Sequence, residues 1–88
     1  MIREVAVITN QDGLHARPVA EFVRLAATEG HAVKVSRPGQ EAVRGDSILS
    51  ILSLGLKAGE RVEITVTGPT ENDLLRSLLN IVGAPKSD

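Results

Sequence analysis

Arg61-Val62-Glu63-Ile64-Thr65-Val66-Thr67 alternates polar and apolar residues without a break. Strand side chains point to opposite faces in turn, so Val62, Ile64 and Val66 share the buried face. Arg61, Glu63, Thr65 and Thr67 share the wet one. A strand with one apolar and one polar side belongs to a sheet covered on one face only. On its N-terminal side, Lys57-Ala58-Gly59-Glu60 reads as a turn. On its C-terminal side, Thr70 is placed to cap a helix over 71–82, with Asp73 where a capping box has its acidic residue. Leu74, Leu75, Leu78, Leu79 and Val82 form the buried stripe of that helix. Gly83, Ala84 and Pro85 are expected to end it, leaving 86–88 as a frayed tail.

Further toward the N-terminus, residues 48–54 suggest a short helix that Gly55 closes. Before it, Pro38-Gly39 is a strong turn signal, since Pro fixes φ and Gly accepts a positive φ. A strand over 32–36 and a shorter one over 41–44 flank that turn as a hairpin. Residues 16–29 suggest a helix, with Val19, Phe22, Val23 and Ala26 on one face and Arg17, Glu21, Arg24 and Thr28 on the other. Pro18 fits there, because a proline in the first turn gives up an N–H that has no intrahelical partner. Gly30 is expected as the left-handed residue past the helix end. Residues 2–9 form a β-rich opening with apolar groups on both faces: Ile2, Ala6 and Ile8 against Val5 and Val7. The resulting order, β-α-β-β-α-β-α, gives an α+β open-faced sandwich, three helices on one face of a four-stranded antiparallel sheet.

The 88 residues suffice for a single domain over 1–88. Leu, Ile and Val supply 26 residues against a single Phe, so the core is aliphatic. With no Trp or Tyr, the stacking platforms of RNA and single-strand binders are absent. A net charge of −1 argues against nucleic acid or a membrane surface as partner. No cysteine means no disulfide, thiolate metal site or thiol chemistry, and with two His no metal cage is expected. There is no Gly-rich nucleotide loop. No cofactor is expected. Without a bilayer-length apolar run or signal-peptide pattern, a cytoplasmic protein is expected, with no membrane insertion.

The group suited to chemistry at neutral pH is His15, at the junction of a loop and a helix. Free N–H groups of the first helical turn point beside its ring, and they favour negative charge there. A neutral imidazole is a nucleophile. Once phosphorylated, it could be stabilised by the same N–H groups and by Arg17. On spacing alone, an exposed His that happens to cap the helix explains the residue as well. His31 has no signature around it and reads as a surface residue.

Gly13-Leu14-His15-Ala16-Arg17-Pro18 resembles the active-site sequence of the HPr family, the histidine-containing phosphocarriers of the phosphoenolpyruvate:sugar phosphotransferase system. Ser47-Ile48 through Ser53-Leu54-Gly55 resembles the second signature of that family, and Gly59 with the strand after it continues the match. The resemblance implies an HPr-like fold and a carrier rather than an enzyme. By that resemblance His15 takes a phosphoryl group on Nδ1 from phosphorylated enzyme I and passes it to sugar-specific IIA domains. Arg17 is then its counter-charge, Pro18 fixes the helix start, Gly13 lets the loop bend close to the ring, and Ala16 is a supporting residue of the same run.

Ala20, Arg24, Ile48, Leu49 and Leu52 are expected to form a partly apolar docking surface beside the site, while Ile51 and Leu54 point inward. Core packing is the alternative for Ile48, Leu49 and Leu52. Enteric members carry Lys where this chain has Ala27 and Ser50, so steering by acidic partners is expected to be weaker. Ser47 matches the serine that HPr kinase phosphorylates in many relatives, although capping alone explains a Ser there. Asp46 before it, and one extra residue after His15, depart from the familiar pattern. A monomer is expected. Two other readings compete: a specialised carrier in a nitrogen-related phosphorelay or dihydroxyacetone kinase system, and a ligand-sensing or dimerisation module without phosphoryl chemistry.

Overall fold

Four strands, β1 (Ile2–Val7), β2 (Ala32–Ser36), β3 (Val43–Arg44) and β4 (Arg61–Thr67), pair antiparallel in the order β1-β4-β2-β3. The computed structural model describes residues 1–83. The suggested stop at Ala84 and Pro85 and the tail over 86–88 lie outside the described residues. Val62, Ile64 and Val66 are fully buried, as the alternation of β4 demands. Their register partners Ala6, Val33 and Val35 are buried with them. In β1 the face of Ile2, Ala6 and Ile8 is the inner one, because it lies opposite Val62 and Val66 of β4.

Three helices, α1 (Ala16–Ala26), α2 (Ile48–Leu52) and α3 (Glu71–Val82), complete the order. Val19, Phe22 and Ala26 of α1 join Ile51 of α2 and the Leu74, Leu75, Leu78, Leu79 and Val82 stripe of α3 in one aliphatic core over the sheet. The architecture is the four-stranded open sheet with three helices that the pattern implies. Pro38-Gly39 makes its turn with Gly39 at φ +78 and Gln40 N–H on the Arg37 carbonyl. Among the described residues no helix is long and apolar enough to cross a membrane.

Several boundaries differ from the sequence reading. β1 stops at Val7 rather than Thr9, because the Thr9 N–H leaves the ladder for the Val82 carbonyl at 3.0 Å. β3 keeps only two residues. α2 ends at Leu52, where the Leu54 and Gly55 amides tighten onto carbonyls three residues back. α1 ends at Ala26, not Glu29. The Leu25 carbonyl takes both the Thr28 N–H (3.1 Å) and the Thr28 hydroxyl (2.6 Å), which closes the last turn early. Gly30, at φ +84, shapes the following turn instead of ending the helix.

The expected Thr70–Asp73 capping box is also absent. His31 reaches across from the start of β2, and its Nε2 accepts the Thr70 N–H at 3.1 Å with the Thr70 hydroxyl at 3.0 Å. Glu71 takes the Gly68 N–H and the N-terminal ammonium. That ammonium, with the Gly68 N–H, holds the Glu71 carboxyl below its usual range. His31 is thus a half-buried structural group rather than a bystander on the surface.

Candidate functional site

The site begins with a loop that cannot drift. Gly13 N–H donates to the Asn10 carbonyl at 2.9 Å, closing the Asn10–Gly13 turn. At φ +75 Gly13 sits in the left-handed region, and a Cβ there would lie 2.7 Å from the Leu56 carbonyl oxygen and 2.9 Å from Lys57 Cα. Only glycine lets the loop run this close to the segment after α2. Leu14 is buried and its N–H donates to that same Leu56 carbonyl at 3.2 Å. Anchoring Leu14 inward turns the next side chain, His15, outward into solvent.

His15 is the N-cap residue of α1, with extended backbone and no capping bond from its ring. Its carbonyl accepts the Val19 N–H at 3.0 Å, so the helix starts properly while the imidazole stays uncommitted. Ala16 and Arg17 hold first-turn N–H groups without intrahelical acceptors, and Pro18 has none to offer. The ring therefore stands beside the positive end of an 11-residue helix.

His15, Arg17 and Pro18 line one depression of about 560 Å³ together with Asn10, Glu21, Leu25, Ser77, Asn80 and Ile81. Arg17 is exposed and makes no ion pair among the described residues. Its guanidinium is thus uncommitted. Asn10, Glu21, Ser77 and Asn80 were missed by sequence reasoning as site neighbours. Ser77 and Asn80 share a polar face of α3 at three-residue spacing, a legible pattern, but the packing that aims it at His15 is not local. Asn10 Nδ2 donates to the Ile81 carbonyl at 2.9 Å and Thr9 N–H to Val82, which tie the loop to the end of α3.

Ala16, Ala20 and Arg24 are exposed on α1. On α2, Ile48, Leu49 and Leu52 are 43, 79 and 36% exposed and Ile51 is buried, while Leu54, just past the helix, is half-buried. Ala20, Arg24, Ile48, Leu49 and Leu52 lie outside the depression around His15. Ser47 caps α2, its Oγ accepting the Ser50 N–H at 3.2 Å. Just before it, Arg44 grips Asp46 with two hydrogen bonds of 2.9 Å, holding that carboxyl below its usual range. Among the described residues no group of three or more His, Cys, Asp or Glu could hold a metal ion.

Comparison with known proteins agrees with this geometry. Residues 2–84 match the family described as "PTS HPr component phosphorylation site". A phosphocarrier protein HPr from Cupriavidus necator is 33% identical over 82 residues, covering 93% of this chain and 91% of its own. A phosphocarrier protein NPr from Escherichia coli is 28% identical over 79 residues, covering 89% and 87%. The crystal structure of HPr-C-His from Thermoanaerobacter tengcongensis superposes with a TM-score of 0.84 at 32% identity, covering 93% of this chain and 91% of that one.

Proposed function

Because the chain belongs to the HPr family of phosphotransferase-system phosphocarriers, we propose that His15 accepts a phosphoryl group from phosphorylated enzyme I and passes it to IIA components. The observation that carries this reading is the His15 ring, exposed and uncapped at a helix N-terminus in one depression with Arg17, which has no ion pair among the described residues. The imidazole nitrogen lone pair forms the new N–P bond as the bond from phosphorus to the donor's leaving atom breaks. Backbone N–H groups of Ala16 and Arg17 and the Arg17 guanidinium then face the transferred oxygens. The whole chain acts as one unit, a monomeric cytoplasmic carrier rather than an enzyme.

Partner proteins dock over Ala20, Arg24, Ile48, Leu49 and Leu52, an apolar patch with a basic neighbour on the α1–α2 side of the site. Ser47, at the edge of that patch, is the site for regulatory phosphorylation by an HPr kinase. A second reading is supported by the NPr relative: the same His15 chemistry serving a nitrogen-related relay. The test is to incubate the protein with phosphoenolpyruvate and either a sugar-branch or a nitrogen-branch enzyme I, then follow the label to a IIA protein. Faster loading by the sugar-branch enzyme supports the first reading. Faster loading by the other supports the second, and no loading by either removes both.

A further inference from the structure

The sheet turns its second face to solvent, and that face carries a row of charge. Register places Arg3 opposite Thr65, Thr65 opposite Lys34, and Lys34 opposite Arg44. The row thus crosses all four strands, roughly 14 Å at the usual strand spacing. Arg3, Lys34 and Arg44 are all exposed. Arg61, on the same face of β4, adds a fourth cation. The carboxylates in contact with them are Glu63, 3.5 Å from Arg3, and Asp46 on Arg44. Lys34 has no carboxylate within ion-pair distance among the described residues.

Lys34 directly opposite Arg44 is an arrangement that destabilises a β-ladder, since like charges face each other across one pair. Arg44 has a partner in Asp46, whereas Lys34 has no ion-pair partner among the described residues to account for its charge. A depression of about 320 Å³, lined by Lys34, Arg44 and Asp46 with Ala32, Val33 and His31, opens at this pair. The His31 ring is already engaged by Thr70 and Glu29, so the lysine and arginine set its chemistry.

We infer that the open sheet face is a second docking surface, for an acidic protein segment whose carboxylates span the Arg3–Lys34–Arg44 row. The cations lie at strand spacing and do not converge, so one small anion cannot meet them all. The chain is net negative and has a single aromatic residue, which leaves neither the long-range field nor the stacking that nucleic acid needs. An acidic segment needs only local complementarity, with one side chain seated in the depression by Lys34. The surface lies across the sheet from the helices, so its occupancy is independent of His15.

The test is a titration of the isotope-labelled full chain with polyglutamate, followed by amide chemical shifts. Shifts should centre on Arg3, Ala32, Lys34, Arg44 and Thr65 and vanish at about 1 M salt, where screening reaches ~3 Å. Lys34→Glu should weaken binding at least tenfold and raise the thermal midpoint, by turning a like-charge pair into an attractive one. Lys34→Gln should weaken binding less. Shifts centred on Arg17 and Arg24, no shifts at all, or equal shifts with inorganic phosphate or a single-stranded oligonucleotide would overturn the inference. So would a lowered midpoint in Lys34→Glu.

Discussion

At Gly13 a left-handed φ of +75 coincides with backbone 2.7 Å from where a Cβ would stand. Both conditions exclude a side chain. Gly13→Ala should destabilise the protein by at least about 1–2 kcal/mol from the left-handed conformation alone, read as a lower denaturation midpoint. It should also slow phosphorylation by displacing the loop; an unchanged midpoint would remove the steric account. Arg17 is a different kind of residue, exposed and without an ion pair among the described residues, whose expected role begins once charge arrives. A charge-assisted hydrogen bond contributes about 1.5–3 kcal/mol, or roughly 10- to 100-fold in rate if felt fully in the transition state. Arg17→Ala should show that loss in maximal transfer rate more than in apparent affinity. Arg17→Lys should restore part of it, because Lys offers a point charge without the planar fork. The placement of His15 and Arg17, exposed at the start of α1, is legible from the local sequence. Their surroundings were not: Asn10, Ser77 and Asn80 come to the depression through the packing of α3, which no local spacing encodes.

At the scale of single elements, the cleanest periods gave the cleanest boundaries. β4 and α3 match their expected limits because alternation and a leucine stripe each bury one full face. Gly30 as a stop signal extends α1 to Glu29, but the Leu25 carbonyl captures Thr28 first and the helix ends at Ala26. α3 has its expected N-cap residue, Thr70, but not the expected box with Asp73, because the group that engages Thr70 is His31, 39 residues away in sequence. His31→Ala should therefore destabilise α3 by about 0.5–1.5 kcal/mol, the ordinary worth of a hydrogen bond. Loss of amide protection at Thr70 and Glu71 would confirm it, and unchanged exchange there would contradict it. Ser47 was placed correctly as a cap, and its Oγ bond to Ser50 makes a clear test. Ser47→Ala should cost about 0.5–2 kcal/mol, whereas Ser47→Asp should hold the midpoint, because Asp caps equally well. Only Asp should slow loading by enzyme I, through negative charge beside the exposed Ile48, Leu49 and Leu52. Equal loading of the two variants would leave Ser47 a helix cap and nothing more.

For the whole molecule, an aliphatic core between one sheet face and three helices holds the His15 loop from two directions, through Leu56 and through the end of α3. Its fold class was legible because binary patterning alone selects a half-covered sheet; the strand order was not, since register depends on contacts between distant segments. Acid should weaken the assembly. Arg44 holds Asp46, Arg37 holds Glu60 and the N-terminal ammonium holds Glu71 below the usual carboxylate range. Groups depressed on folding stabilise the protein above their unfolded pKa and lose that contribution as pH falls through the folded one. The thermal midpoint should hold from neutrality to near pH ~4.3 and fall below it, and Glu71→Gln should flatten that fall. The central claim concerns one nitrogen. Intact protein and His15→Ala, each incubated with enzyme I and phosphoenolpyruvate, should be compared by mass spectrometry and by the imidazole resonances of both histidines. The account predicts one acid-labile phosphoryl group on the intact protein, at His15 with His31 unchanged, and none on the variant. A phosphoryl group on the folded His15→Ala protein, or on His31, would contradict it.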